Sequence, residues 1–498
     1  MSLRYYTLDK FDRIVCALNS RGWDRINSST DANFIFTNLI KINFDELNEE
    51  TCINHLKGSQ HLSNKAFLSY HIKAAGCGHW MPLQWSAAYE DLISLLGMIL
   101  LNSVYSLLKT IIQDEDLLVE LKEKVLQYKQ MIQVLGGMKS MYLDIVETER
   151  ILHLLENPTI LLVKELVSNL EESNSWRRWG GYKDIWIIKP VGLSCGENIM
   201  VVKGIKDVCQ VLRDMNYKCV VQKYIEKPLL VRSSRKFDIR QWILVTSVNP
   251  LVIHGFSECY LRLSSQEYTV EESKLSDVKV HLCNHAIQKD RPTPAASPDT
   301  SSSSLEYDTM MTQGQFNTEL NNILASNPQL LPSDLRGDPI TDPFSVLLKP
   351  KIKQISIDTI SSVRDKLCKV GNAFEWLGLD LIVTDSLDIL LLEVNVSPDI
   401  SLSTPITTRL VDPAINDLLR IIIDKSEVAC DSTLRWEPWY KGPSESYQTI
   451  RDFAKRKTEK EMLQKDYLPR NLTVAQEIFH FIDGKKTTAN EEEEEDEF

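Results

Sequence analysis

Two short apolar runs in the last third of the chain leave little freedom in how it folds. Leu377–Thr384 (LGLDLIVT) and Ile389–Val396 (ILLLEVNV) are rich in leucine and β-branched residues, and only the turn-prone Asp385–Asp388 separates them. A hairpin centred on that turn sets Asp380 opposite Glu393, with Cβ atoms roughly 5 Å apart. Asn395 lies two residues beyond Glu393 and shares its face. The other face reads Leu377, Leu379, Leu381 and Val383 against Leu390, Leu392, Val394 and Val396, an apolar surface that has to be buried. Two carboxylates and an amide oxygen on one side of a buried hairpin suit a hard cation such as Mg2+. An ordinary strand pair facing water has the same alternation, but ions beside so much leucine and valine are costly without a partner.

The chain has 498 residues, 43% hydrophobic and 25% charged, enough for two or more globular domains. Its start, MSLRYYTLDKFDR, meets charge within four residues, so no secretory segment is expected. No run approaches 18 uninterrupted apolar residues, so no membrane span is expected either. Ten cysteines without a CxxC pairing point to reduced thiols. The net charge of −13 is uneven, because Glu491–Glu497 is acidic at every position. Basic residues cluster at Arg177–Arg178, Arg232–Lys236, Lys349–Lys353 and Arg451–Lys460. That distribution favours an anionic substrate over nucleic acid.

Residues 1–150 read as a mixed, largely helical region without a catalytic motif, with amphipathic periodicity at Ala87–Lys109 and Asp114–Val134. From Asp184 onward come short apolar strands: Ile185–Lys189, Ile199–Lys203, Cys219–Ile225, Phe237–Thr246 and Leu251–Leu263. The tract PTPAASPDTSSSS (Pro292–Ser304) opens an expected flexible insertion, about 291–343. Helices are expected at Lys353–Leu367 and Ile415–Lys425. Residues 428–498 read as a Trp-rich stretch, a basic helix and an acidic disordered tail. The middle domain is expected to span 151–427.

Within that domain Lys189 ends an apolar strand and is followed by a glycine turn, VGLSCGENI, able to lay backbone N–H groups over phosphates. The strand end Gln222–Ile225 offers backbone to a purine edge, or is an ordinary strand end. In KFDIRQWILVT, alternation places Lys236, Asp238, Arg240 and Trp242 on one face and Phe237, Ile239, Gln241 and Ile243 on the other. Arg262 adds a cation. His281, Cys283 and His285 alternate as zinc ligands would, without a fourth nearby.

The collinear segments WIIKP, VVQKYIEKPLL, RKFDIRQWILVT, YLRLS, HLCNHAIQK, FEWLGLDLIV and LLEVNVSPDISLSTPITTRLV together resemble the tubulin–tyrosine ligase-like family. QKYIEKPLL, HLCN–IQK and ISLSTPITTRL look most like its glycylase branch. The resemblance implies an α/β (α+β) ATP-grasp fold that binds ATP and Mg2+. Lys189 then corresponds to a phosphate-contacting lysine, and Gln222, Lys223, Tyr224 and Ile225 to the adenine-binding strand end. Lys236, Phe237, Asp238, Cys283 and Asn284 correspond to nucleotide positions, Arg240 and Arg262 to catalytic arginines, and Asp380, Glu393 and Asn395 to the Mg2+ ligands. The implied partners are free glycine and the acidic C-terminal tails of tubulin in microtubules, with no nucleic acid and no membrane. The implied place is the cytoplasm and cytoskeleton, including the axoneme of cilia or flagella. One segment departs from the family pattern: Ser194-Cys195-Gly196-Glu197-Asn198-Ile199 lacks an arginine and a second glycine and adds an acid. The alternatives left open are a glutamylase or tyrosine ligase, and a catalytically inactive microtubule-binding module.

Overall fold

A computed structural model describes residues 3–87, 92–134, 143–173, 177–193, 196–215, 218–288, 309–336, 340–428 and 430–444. The expected basic helix and acidic tail after 444, Ser194–Cys195, and the PTPAASPDTSSSS tract lie outside these residues. The described chain divides into two compact units, each discontinuous in sequence. The first takes the residues up to Met81, then Leu229–Tyr268 and the chain from Leu282 on; the second takes Pro82–Pro228 and Thr269–His281. Residues 1–150 therefore do not form one region in this division.

The first unit is built on a long central strand, β1 (Arg235–Val248). Along one edge it pairs antiparallel with β2 (Leu251–Phe256) and β3 (Tyr260–Glu267). The expected single strand Leu251–Leu263 is thus two, interrupted at 257–259, with β2 pairing with residues 243–248 of β1 and β3 with residues 235–240. β3 pairs antiparallel on its other edge with β4 (Met310–Thr312). β1 also pairs with β5 (Glu375–Val383), which forms a hairpin with β6 (Ile389–Asn395). β7 (Trp436–Lys441) extends the sheet beyond β2.

Alternation on β1 decides both sides of this sheet. Phe237, Ile239, Ile243 and Val245 join Leu377, Leu379, Leu381 and Val383 in one core. Helices α1 (Lys65–Ala74), α2 (Gln313–Ser326) and α3 (Lys349–Val363) contribute to it through residues such as Leu68, Phe316 and Ile355. On the opposite face Trp242, Leu244 and Trp376 pack with α4 (Pro405–Ile422) and with Tyr5 and Phe34. Tyr5 and Phe34 belong to a small parallel sheet of Asp24–Arg25, Arg4–Thr7, Phe34–Phe36 and Cys52–Ile53.

The expected flexible insertion is corrected over its second part. β4 and α2 are ordered: Thr312 and Gln315 close a capping box, and Phe316, Leu320 and Leu324 reach the core. The expected helix at Lys353–Leu367 starts earlier, at Lys349, and that at Ile415–Lys425 starts at Pro405 behind a Thr404/Thr407 capping box.

The second unit holds an antiparallel sheet in the order Gln84–Ser86, Cys219–Lys223, Ile185–Pro190, Met200–Lys203. Its helix Leu92–Gln113 is long and apolar enough to cross a membrane by composition, yet 72% of its most apolar window is buried inside the unit. Intrachain burial of that kind accounts for its hydropathy.

Candidate functional site

The charged half of β1 is where the second core stops. Lys236, Asp238 and Arg240 share the face of Trp242 and Leu244, but only the latter two belong to the cluster under α4. All three charged residues are nonetheless buried, so each has to be compensated. Strand pairing supplies the partners directly. Arg262 on β3 is in register with Asp238 and donates Nε and Nη2 to its two carboxylate oxygens at 2.6 and 2.8 Å. Asp380 on β5 is in register with Arg240, which donates Nε and Nη2 to it at 2.5 and 3.2 Å. Arg262 Nη2 also reaches Asp380 Oδ2, at 2.9 Å. The result is a continuous row of alternating charge across three strands. Burial alone would raise the pKa of Asp380, but Arg240 and Arg262 hold it well below the usual carboxylate range.

β6 completes the row. Asp380 pairs in register with Glu393, and Gly378 with Asn395, as the turn position predicts. Past Asp380 the register slips by one, so Leu381 faces Leu391 rather than Leu392. The slip corrects the expected apolar face: Ile389 and Leu391, not Leu390 and Leu392, join the core, and Leu392 is half-buried. A bulge beside a site re-aims side chains without moving the rest of the hairpin. Asn395 Nδ2 donates to Asp380 Oδ2 at 3.2 Å and to the Gly378 carbonyl at 3.4 Å, which leaves its Oδ1 turned elsewhere. Gly378 packs closely on the Arg240 stem: a Cβ there would lie 3.1 Å from Arg240 Cδ, so the stem would have to shift by a few tenths of an ångström to admit it.

These residues fit a divalent cation in donor chemistry. Asp380 and Glu393 face each other in register across the hairpin and offer carboxylate oxygens from two adjacent strands. Glu393 is the accessible acid, its side chain 28% exposed. Asp380 is engaged by both guanidiniums, so ligation through it means exchanging one of those bonds. Among the described residues no group of three or more His, Cys, Asp and Glu has metal-ligand spacing. His281 and His285 sit in short helices rather than alternating on one strand, which removes the geometry assumed for zinc.

Cys283 lies against β1: its thiol donates to the Lys236 carbonyl at 3.6 Å, and burial pushes that thiol up to about 12. The Asn284 carbonyl accepts from the N–H groups of Ile287 and Gln288. Burial also pulls Lys236 down to about 8. Phe237 does not share this surface. Its fully buried ring is on the opposite face, 5.1 Å from the ring of Phe316.

In the second unit Lys189 is buried at its strand end. Gln222 donates Nε2 to Gln84 Oε1 at 2.6 Å. The Lys223 ammonium is fully buried and donates to Glu226 at 2.6 Å and to the Ile185 carbonyl at 3.0 Å, so it locks the strand end. The backbone N–H groups of Lys223 and Tyr224 are taken by the carbonyls of Leu83 and Ile185. Tyr224 Oη is 2.8 Å from His281 Nδ1. Of the expected phosphate loop, Gly196 and Asn198 have positive φ and Glu197 is exposed in the turn.

One residue at the site was missed by sequence reasoning. Lys65, the first residue of α1, places Nζ 3.9 Å from Glu393 Oε2. The only local signal for it was the motif NHLKGSQHLSNK (Asn54–Lys65), where Gly58 adopts φ +100 against the Lys366 carbonyl.

The model of the tubulin-tyrosine ligase family matches residues 44–430, most of the chain. The chain belongs to that family. Its fold is accordingly ATP-grasp-like, with mixed helices and sheets, and the match begins well inside the region expected to lack a motif. Among curated relatives, tubulin monoglycylase TTLL3 of Danio rerio is 36% identical over 253 residues, 49% of this chain and 29% of the relative. Tubulin glycylase 3B of Tetrahymena thermophila is 32% identical over 265 residues, 53% and 20%. Protein monoglycylase TTLL8 of Mus musculus is 30% identical over 272 residues, 53% and 30%. The chain spans less than a third of the length of each.

Proposed function

We propose that this chain is an ATP-dependent ligase that joins glycine to glutamate side chains of tubulin C-terminal tails. The observation that carries the reading is the convergence of Asp380, Glu393 and Asn395 on one hairpin face, beside Arg240 and Arg262, in a member of this family. Similarity to named glycylases supports glycine as the amino acid.

A carboxylate is a poor acyl donor, so amide formation at neutral pH requires activation. The γ-phosphoryl group of ATP passes to the acceptor carboxylate, and the glycine amine then displaces phosphate from the acyl phosphate. Arg240 and Arg262 stabilise negative charge that develops on the transferring group, and they are already oriented by Asp238 and Asp380. Glu393 and Asn395, with Asp380, would hold Mg2+, which supplies neutralisation of the β- and γ-phosphates. In the second unit Lys189 would bring positive charge to phosphate, and residues 222–225 a rigid strand end for the base. The acidic tubulin tail makes the cytoskeleton, including axonemes, the expected place of action.

Full-length protein incubated with ATP and microtubules should incorporate labelled glycine, and Glu393→Gln should abolish this with little loss of folding. Incorporation of glutamate or tyrosine instead would reassign the amino acid. Undiminished transfer by Glu393→Gln would refute the cation role. The acid at Glu197 favours a second reading, a nucleotide-free microtubule-binding module, which calorimetry showing no MgATP binding at millimolar concentration would support.

A further inference from the structure

We propose that Lys65 is the resident counter-ion of Glu393, a positioning residue that yields this carboxylate to the divalent cation only when the triphosphate enters with it. The inference rests on the cation site proposed above. Its starting point is a local oddity. Lys65 occupies the first position of α1, the positive end of the helix dipole, where a cation is disfavoured. Asn64 already caps that end by accepting from the N–H groups of Ala66 and Phe67, so the lysine does nothing for the helix. Its side chain is nevertheless drawn in, 14% exposed, with Nζ 3.9 Å from Glu393 Oε2.

The placement is rigid. Lys57 and Cys368 exchange backbone hydrogen bonds of 3.0 and 2.8 Å, and the Gly58 turn fits against Lys366 with no room for a Cβ. This pins the start of the α1 segment beside the chain that leads into β5.

Charge balance then gives Lys65 a role. Asp238 and Asp380 are bound by Arg262 and Arg240, and Glu393 is a third acid with the Lys65 ammonium beside it. With Lys236 on the same face, four bases stand beside these three acids, and a doubly charged cation arriving alone would add to an excess of positive charge. A cation arriving with a triphosphate would not. Lys65 thereby couples cation binding to nucleotide binding, and once released from Glu393 its ammonium is available to phosphate oxygens.

Mn2+ titration of the full-length protein, followed by electron paramagnetic resonance, tests this without any turnover. Without nucleotide, Lys65→Met should bind Mn2+ about tenfold more tightly than the natural chain, because a cation beside Glu393 has been removed. Lys65→Arg should stay near the natural value. With a non-hydrolysable ATP analogue present, the natural chain should bind Mn2+ tightly and the gain from Lys65→Met should largely vanish. Unchanged or weaker nucleotide-free affinity in both Lys65→Met and Lys65→Gln, with native circular dichroism, overturns the role of Lys65. Absence of Mn2+ binding to the natural chain even with the analogue overturns the cation site itself, a distinguishable result.

Discussion

Glu375 and Asp380 are buried acids on the same strand, on opposite faces of it, and they are held in opposite ways. Glu375 faces the core and is bound by His55 Nδ1 at 2.7 Å, by the Leu56 N–H at 2.8 Å and by the Ser59 hydroxyl. These donors come from one short segment, and His55 is fixed in turn by the Thr37 carbonyl. Asp380 is held by guanidiniums from two neighbouring strands on the face where apolar cover ends. Burial and the carboxyl group are common to both, so neither separates a structural anchor from an acid of the proposed site. The difference is in the partners: backbone and ring donors that have nowhere else to go, against long cationic side chains able to exchange one anion for another.

The contrast is sharpest if each acid is neutralised in turn. Asp380→Asn should lower glycine incorporation about 10²–10³-fold, since it disorients both arginines that face developing charge. It should also cost about 3–5 kcal/mol in urea unfolding, because two buried cations lose an anion. Full transfer by this variant would make Asp380 an anchor like Glu375. Glu375→Gln should cost about 3 kcal/mol of stability, while folded protein at reduced temperature retains transfer within about threefold of the natural chain. A selective loss of turnover without loss of stability would erase the distinction.

Gly378→Ala tests the packing between the two acids. Its Cβ would press on the Arg240 stem and should cost about 1 kcal/mol, with about a tenfold drop in transfer as the guanidinium shifts. Wild-type kinetics would show that Arg240 has slack. The smallest effect is expected at Lys236. Its folded pKa, about 8, lies below the usual lysine value, so between about pH 8 and 10 the unfolded chain binds the extra proton. Stability should therefore rise with pH across that window, and Lys236→Met should flatten the rise in a series of denaturant melts.

How much of this was legible in the residues varies with distance along the chain. The pairing of Asp380 with Glu393 follows from one turn and two apolar runs, because strand alternation is local. The slip at Leu391–Glu393 does not, since all of Leu390–Leu392 are equally apolar and only packing selects which face inward. The ordered β4–α2 segment was hidden by its Ser/Thr/Pro neighbour, although Thr312, Gln315 and the four-residue spacing of Phe316, Leu320 and Leu324 carried a readable helix start. The first 81 residues were opaque for a different reason. Their partners, Glu375 and Glu393, lie more than 300 positions away, and no periodicity encodes such a contact.

That separation has a consequence for how the protein is made. The Leu56–Glu375 hydrogen bond joins residues 319 apart, and Lys65 meets Glu393 across a similar gap. During synthesis the early segment emerges with His55, Ser59 and Lys65 lacking their acids, and it waits while the intervening chain is translated. At ribosomal speeds of about 5–20 residues per second that interval is at least about a quarter of a minute. Chaperone capture or premature collapse has its opening then, and slowed elongation between these positions should lower the yield of native protein more than slowing anywhere after β6.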